Sequence, residues 1–294
     1  MIYLLLIPLI FTAVFSDICY KKTKASSTAI MFGIAFWSVL ICSGIFLVSL
    51  FFNKDPFAGF SWTVFAFILL YCVLTSVIIW TYCQAIKNTP LSFIKPIKNI
   101  QILILLAFSW IVFGDIVTVA DIVLSSVIFV LCVLLGIIEY RNTKKSDLIS
   151  AKQLLKGLFW IGLCILAIVG KVFCIKMIGE TITIFTLTFV NSIILFMIAI
   201  LTLLITKQQI KESFRACFQD NWLIGAGLSD NSNAILYISL AISMNLGVLD
   251  AISQVATVLI ALVGVLIFRE KLGKWSYFII VAILGCAIAL SLLQ

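Results

Sequence analysis

Four charged side chains stand within or at the edge of long apolar runs: Asp17, Lys95, Lys171 and Asp250. On insertion scales a charge at the bilayer centre costs about 2.5–3.5 kcal/mol, so such a group faces a partner, the bundle interior or a water-filled cavity. Two readings are open. The four are buried ion pairs that lock helix packing, or they line a cavity and contact a polar or zwitterionic solute. Lys95 and Asp250 lie near the ends of their runs, where snorkelling to the headgroups is a third outcome. Asp17 is the first choice for a carboxylate that exchanges a proton.

A second polar group is Ser229-Asp230-Asn231-Ser232-Asn233, inside another apolar run. Consecutive helix positions are about 100° apart, so Asp230 can face a cavity while Asn231 faces a packed helix. Local unwinding is the alternative, tolerated where the backbone is buried or lines water. Gln84, Lys98, Asn99, Gln101, Asn191 and Gln254 are weaker cavity candidates, each explained equally well by interhelical hydrogen bonding. Trp37, Tyr71, Trp80 and Tyr82 either flank a cavity or simply pack.

The elements that must position these residues follow from composition. Of 294 residues, 64% are hydrophobic and 11% charged, against roughly 25% charged in a soluble domain. The apolar runs are about 20 residues long, enough to cross ~30 Å of hydrocarbon. They predict ten helical spans at 2–22, 27–52, 60–86, 91–113, 117–138, 154–177, 181–206, 222–243, 247–268 and 275–293. Pro8 should kink the first span, which lacks the basic start and small-residue cleavage site of a signal peptide and is expected to be retained. The net charge of +8 reads as loop bias rather than as a nucleic-acid surface. Nine scattered cysteines and no histidine point away from disulfides and metal, and the chain has no Gly-x-x-x-x-Gly-Lys stretch. No cofactor and no enzymatic activity are expected.

The chain repeats itself. Ala85–Val117 and Ala241–Gly273 share an Ala-Ile start, a polar break, an early charge and a Phe-plus-acid close. An offset of 155 superimposes Phe113 on Phe268, Asp115 on Glu270 and Lys95 on Asp250. An offset of 154 lays Asp17 on Lys171, reversing the sign once more. The polar link Glu139–Lys152 divides a first repeat (1–140) from a second (154–294), with 141–153 as linker. Five spans per half is odd, so the second half must be inserted upside down, a pattern found in many transporters. The links after spans 1, 3, 5, 7 and 9 hold 17 of the 20 Lys and Arg residues, which puts those links in the cytoplasm and both termini outside.

In length, span number and repeat phase the whole chain resembles the EamA-type branch of the drug/metabolite transporter superfamily. The resemblance rests on Tyr82-Cys83-Gln84-Ala85-Ile86, Pro90 and Gly114-Asp115 in the first copy. Ser239-Leu240-Ala241-Ile242, Gly247 and Arg269-Glu270-Lys271-Leu272 answer them in the second. The sequence departs from the family by carrying Ile102 and Thr257 where members often have Pro, and by a charge bias opposite to the family's cytoplasmic termini. The resemblance implies an all-α membrane protein of ten transmembrane helices in two inverted five-helix repeats. Spans 1–4 and 6–9 would enclose a central cavity, and spans 5 and 10 would be peripheral. It implies a secondary carrier, exporter or exchanger, of a small polar metabolite in the cell (inner or plasma) membrane. The expected partners are that small molecule, a coupled proton or counter-substrate, and the bilayer, with no nucleic acid, in a monomer or homodimer. Mixed acid and base favour a zwitterion such as an amino acid. The competing readings are a channel, a non-transporting scaffold or a lipid-modifying enzyme. Asp17, Lys95, Lys171, Asp230 and Asp250 are not family motif residues; membrane energetics alone singles them out.

Overall fold

The computed structural model describes residues 5–51, 57–88, 97–98, 100–144, 151–179, 181–243, 249, 252–253, 255–256, 258–260 and 274–292. Among them there is no strand. The chain runs through α1 (Leu6–Lys22), α2 (Ser27–Ser49), α3 (Trp62–Asn88), α4 (Gln101–Phe113) and α5 (Val119–Lys144). It continues through α6 (Ala151–Ile178), α7 (Ile184–Ile205), α8 (Ile210–Gln219), α9 (Asn221–Ser243) and α10 (Lys274–Leu292). Among the described residues, four stretches are long and apolar enough to cross a membrane: Ser27–Ser49, Trp62–Ile86, Leu155–Ile178 and Ile184–Ile205. Gln101–Phe113, Val119–Leu135 and Trp275–Leu290 are shorter apolar helices.

The helix starts follow local chemistry. Ser26 accepts the Ala29 amide at 3.1 Å and Thr183 the Thr186 amide at 3.2 Å, capping α2 and α7. Gly114, at φ 65°, closes α4 in the left-handed conformation that glycine takes without strain. Pro8 does not act within a continuing helix as expected. It is the third residue of α1, where the amide it lacks has no intrahelical acceptor anyway.

Helix directions can be read from the contacts. Along α1 and α9 the partners run Thr12 with Asn233, Ser16 with Asp230 and Thr23 with Asp220, so this pair is antiparallel. Phe67 meets Phe173 and Trp80 meets Trp160, making α3 and α6 antiparallel as well. The same holds for α2 and α7, where Ser26 bonds Gln208 just past α7 and Phe46 stacks on Phe189 at 4.3 Å. By contrast α2 and α9 run parallel, Gly33 against Leu223 and Gly227 against Trp37. A Cβ at either glycine would come within 2.8 Å of the facing side chain, so small residues set this close approach. Helices α5 and α10 pack on each other.

The sequence reading took 207–221 as a plain link, yet it contains α8. Ser213 and Cys217, one turn apart, face inward, while Lys211, Glu212 and Arg215 are exposed. Burial pushes the Cys217 thiol up to about 11, which keeps it protonated at neutral pH. Nor does α9 unwind at its polar cluster. Ser229, Asn231 and Ser232 return hydrogen bonds to the carbonyls of Gly225, Gly227 and Leu228, four residues back, satisfying themselves on an intact helix.

Candidate functional site

A cavity of about 200 Å³ lies among α1, α3, α6 and α9, bordered by Lys98 and Gln101 at the start of α4. Its polar wall is built on α1 by a repeat of four. Thr12, Ser16 and Tyr20 fall on one face of the helix and reach across to α9. The Thr12 hydroxyl approaches Asn233 Oδ1 at 3.4 Å, and Asp230 Oδ1 accepts from Tyr20 at 2.9 Å and from Ser16 at 3.5 Å. Both bonds to Asp230 land on the same oxygen, which leaves its second oxygen for another donor. Asp17 is 3% exposed and accepts the Tyr82 hydroxyl from α3 at 2.8 Å. The Tyr20 and Tyr82 rings meet edge-on at 6.3 Å, joining the two acids through aromatic side chains.

The cations sit differently. Lys171 Nζ lies 5.1 Å from the Tyr71 ring centre and Lys98 Nζ 5.0 Å from that of Tyr82, within the ~6 Å range of a cation–π contact. Among the described residues, no ion pair within 4.0 Å engages either ammonium. Asp230 still feels Lys171, Asp17 and Lys98 electrostatically, so all four charges belong to one field. Among the described residues, two carboxylates that accept from tyrosine hydroxyls and two ammoniums that rest on tyrosine faces make a polar centre. Such a centre can bind a charged or dipolar molecule.

The candidates from sequence divide sharply. Asp17, Lys171 and Asp230 line the cavity together. Asn231 does not. Its amide donates to Gly227 O at 2.6 Å and Ile34 O at 3.4 Å, gluing α9 to α2. Asn191 is also turned to packing, accepting the Cys72 thiol at 3.1 Å between α7 and α3. Gln84 is half-buried on α3 and is not among the lining residues. Lys95 and Asp250 lie outside the described residues. Sequence reasoning passed over Ser16 and Tyr20, although the four-residue spacing of hydroxyls along α1 was a signal for them.

The landmark Phe113-Gly114-Asp115 serves a different end of the bundle. Asp115 accepts from Ser109 and pairs with Lys176 at 3.7 Å. Beside it Phe113, Phe108 and Phe67 surround Phe173 with ring centres 5.9–6.1 Å away.

No protein-family model matches this chain, and no curated protein does. A solved structure described as "Crystal structure of protein" superposes with a TM-score of 0.73 at 15% identity, over 99% of this chain and 97% of that one. That likeness is one of fold alone.

Proposed function

We propose that this chain is a ten-span secondary carrier, two inverted repeats of five helices, that moves a small polar metabolite across a cell membrane by alternating access. The observation that carries the reading is the cavity lining itself. Under the offsets found in the sequence, Asp17 corresponds to Lys171, Thr75 to Asp230, Ile78 to Asn233, Tyr82 to Tyr237, Lys98 to Ser253 and Gln101 to Ala256. Both members of every pair border the cavity. A central site shared by two related halves is the arrangement expected of an inverted-repeat carrier.

Helix direction supports the inversion. With α1 taken as up, α2 returns down through the short turn at 23–26. The end of α3 lies beside the end of α1, Tyr82 against Asp17 and Tyr20, so α3 points up. Antiparallel packing on α3, α2 and α1 then sets α6 down, α7 up and α9 down. Lys21, Lys22, Lys24, Lys207, Lys211 and Arg215 gather at one face, where Thr23 bonds Asp220 and Ser26 bonds Gln208. The charge bias of that face supports a cytoplasmic side for it. The sequence resemblance to EamA-type carriers points the same way for mechanism.

The test is solute exchange in proteoliposomes, with the solute chosen by a thermal-shift screen of the purified protein, since a ligand of the folded state raises its stability. Asp17→Asn and Lys171→Gln should each cut exchange while the protein remains folded. Undiminished exchange in both variants, or channel-like currents in place of saturable exchange, would overturn the reading.

A further inference from the structure

We infer that α8 is a phospholipid-binding helix lying flat at one membrane face, its phenylalanine flank against acyl chains and its basic edge on anionic headgroups. The inference rests on the membrane reading of the chain and is independent of the carrier reading.

Both ends of α8 are pinned beside the head of α2. Gln208, just before α8, accepts from Ser26 at 2.8 Å and from Thr28 at 2.5 Å. Asp220, just after it, accepts from Thr23 at 2.6 Å. Between α7 and these anchors Lys207 takes a left-handed φ of 52° and turns the chain. Held at both ends on one level, α8 runs across the end of the bundle. Its rings point along α2 instead. Phe214 and Phe218 meet Phe36 with ring centres 5.3 and 5.4 Å apart, and Phe218 also meets Trp37 at 6.1 Å. Phe36 lies nine residues beyond Ser27, where α2 begins, or about 14 Å along the helix at 1.5 Å per residue. The two phenylalanines are therefore turned toward the apolar middle of that span.

The rest of α8 is sorted around this flank. At 100° per residue, Ser213 and Cys217 face inward, Phe214 and Phe218 follow on one side, and Lys211 and Arg215 lie just beyond them. Despite their ring contacts Phe214 and Phe218 stay 46% and 51% exposed. Lys211 and Arg215 are exposed, and among the described residues no salt bridge engages Lys207, Lys211 or Arg215. At the far end Lys22 Nζ lies 4.3 Å from the ring centre of Trp222, itself partly exposed. An apolar flank bordered by Lys and Arg is the pattern of a helix that lies in the interface plane. The depth of the rings selects the occupant. They face the level of the bilayer beside α2, where acyl chains reach them and a soluble partner does not, and the cations beside them meet phosphate.

The experiment follows amide exchange over residues 210–219 of the purified full chain in nanodiscs of phosphatidylcholine alone or mixed equally with phosphatidylglycerol. Phosphatidylglycerol should slow exchange in α8 about tenfold, the size of roughly two basic contacts with a charged surface, and high salt should remove the difference. Lys211→Gln combined with Arg215→Gln should abolish the slowing. Arg141→Gln combined with Lys156→Gln removes equal charge from exposed positions on α5 and α6 and should preserve it. Equal exchange in the two lipids, slowing that survives the α8 substitutions, or slowing lost equally in the control would overturn the inference. Protection that tracks self-association in detergent would give the flank to a second copy and overturn it as well. The lipid comparison uses the unmodified protein, so it decides the matter even if a variant does not fold. None of these measurements reads transport, so their failure leaves the carrier reading standing.

Discussion

Two helix pairs, α1 with α9 and α6 with α3, would correspond under the proposed repeat, and they are held together by opposite chemistry. Both are antiparallel, and both border the cavity. The first is a polar seam, in which Thr12, Ser16, Tyr20 and Thr23 bond Asn233, Asp230 and Asp220. The second is aromatic and apolar, with Phe67 on Phe173, Trp80 on Trp160 and Leu74 against Gly170. Interhelical hydrogen bonds in membranes average only about 0.6 kcal/mol, because the separated helices find other partners. Removing a buried aromatic forfeits dispersion contacts and leaves a void, at a cost of several kcal/mol. The aromatic pair is therefore the fixed side of the bundle. Under the carrier proposal, the polar seam is the side expected to rearrange and wet.

The sharpest challenge to this contrast is Phe173→Ala, which empties the aromatic cluster. Unfolding in mixed micelles should show a loss of about 2–3 kcal/mol, below the full core value because the ring is only half-buried. A loss no larger than that of a seam variant would erase the distinction. Tyr20→Phe should come next, at about 1–2 kcal/mol, since it strips a charge-assisted partner from Asp230. Exchange should fall at the same time, because Asp230 is then no longer held toward the cavity. Thr12→Val should cost about 0.6 kcal/mol or less, and unfolding that begins at α1 in this variant would mean that the seam is the rigid side after all.

Much of the architecture was legible because the strongest signals are the simplest. Helices α2, α3, α6 and α7 are long, predominantly apolar runs whose bounds fall within a few residues of the spans read from sequence. The 100° separation of Asp230 and Asn231 anticipates that one faces the cavity and the other Ile34 O. Asn191 illustrates what could not be read. An amide within an apolar run looks the same whether it meets a thiol across a helix pair or a solute. Helix α8 escaped because its 10 residues are polar on average, and hydropathy reports mean character rather than the face. Tyr20 escaped because an aromatic near a span end fits an interfacial belt as easily as a carboxylate tether.

Two-sided access to the polar centre is the claim on which everything else depends, and Ala234 is the place to test it. It borders the cavity, is half-buried and makes no side-chain hydrogen bond. Of the nine native cysteines all but Cys286 are buried, so Ala234→Cys in a Cys286→Ser background offers one reactive thiol. Membrane-impermeant maleimide applied to either face of sealed vesicles should label it from both, at rates that solute on the opposite face changes in opposite directions. Labelling from one face under every condition, or from neither, would contradict the carrier.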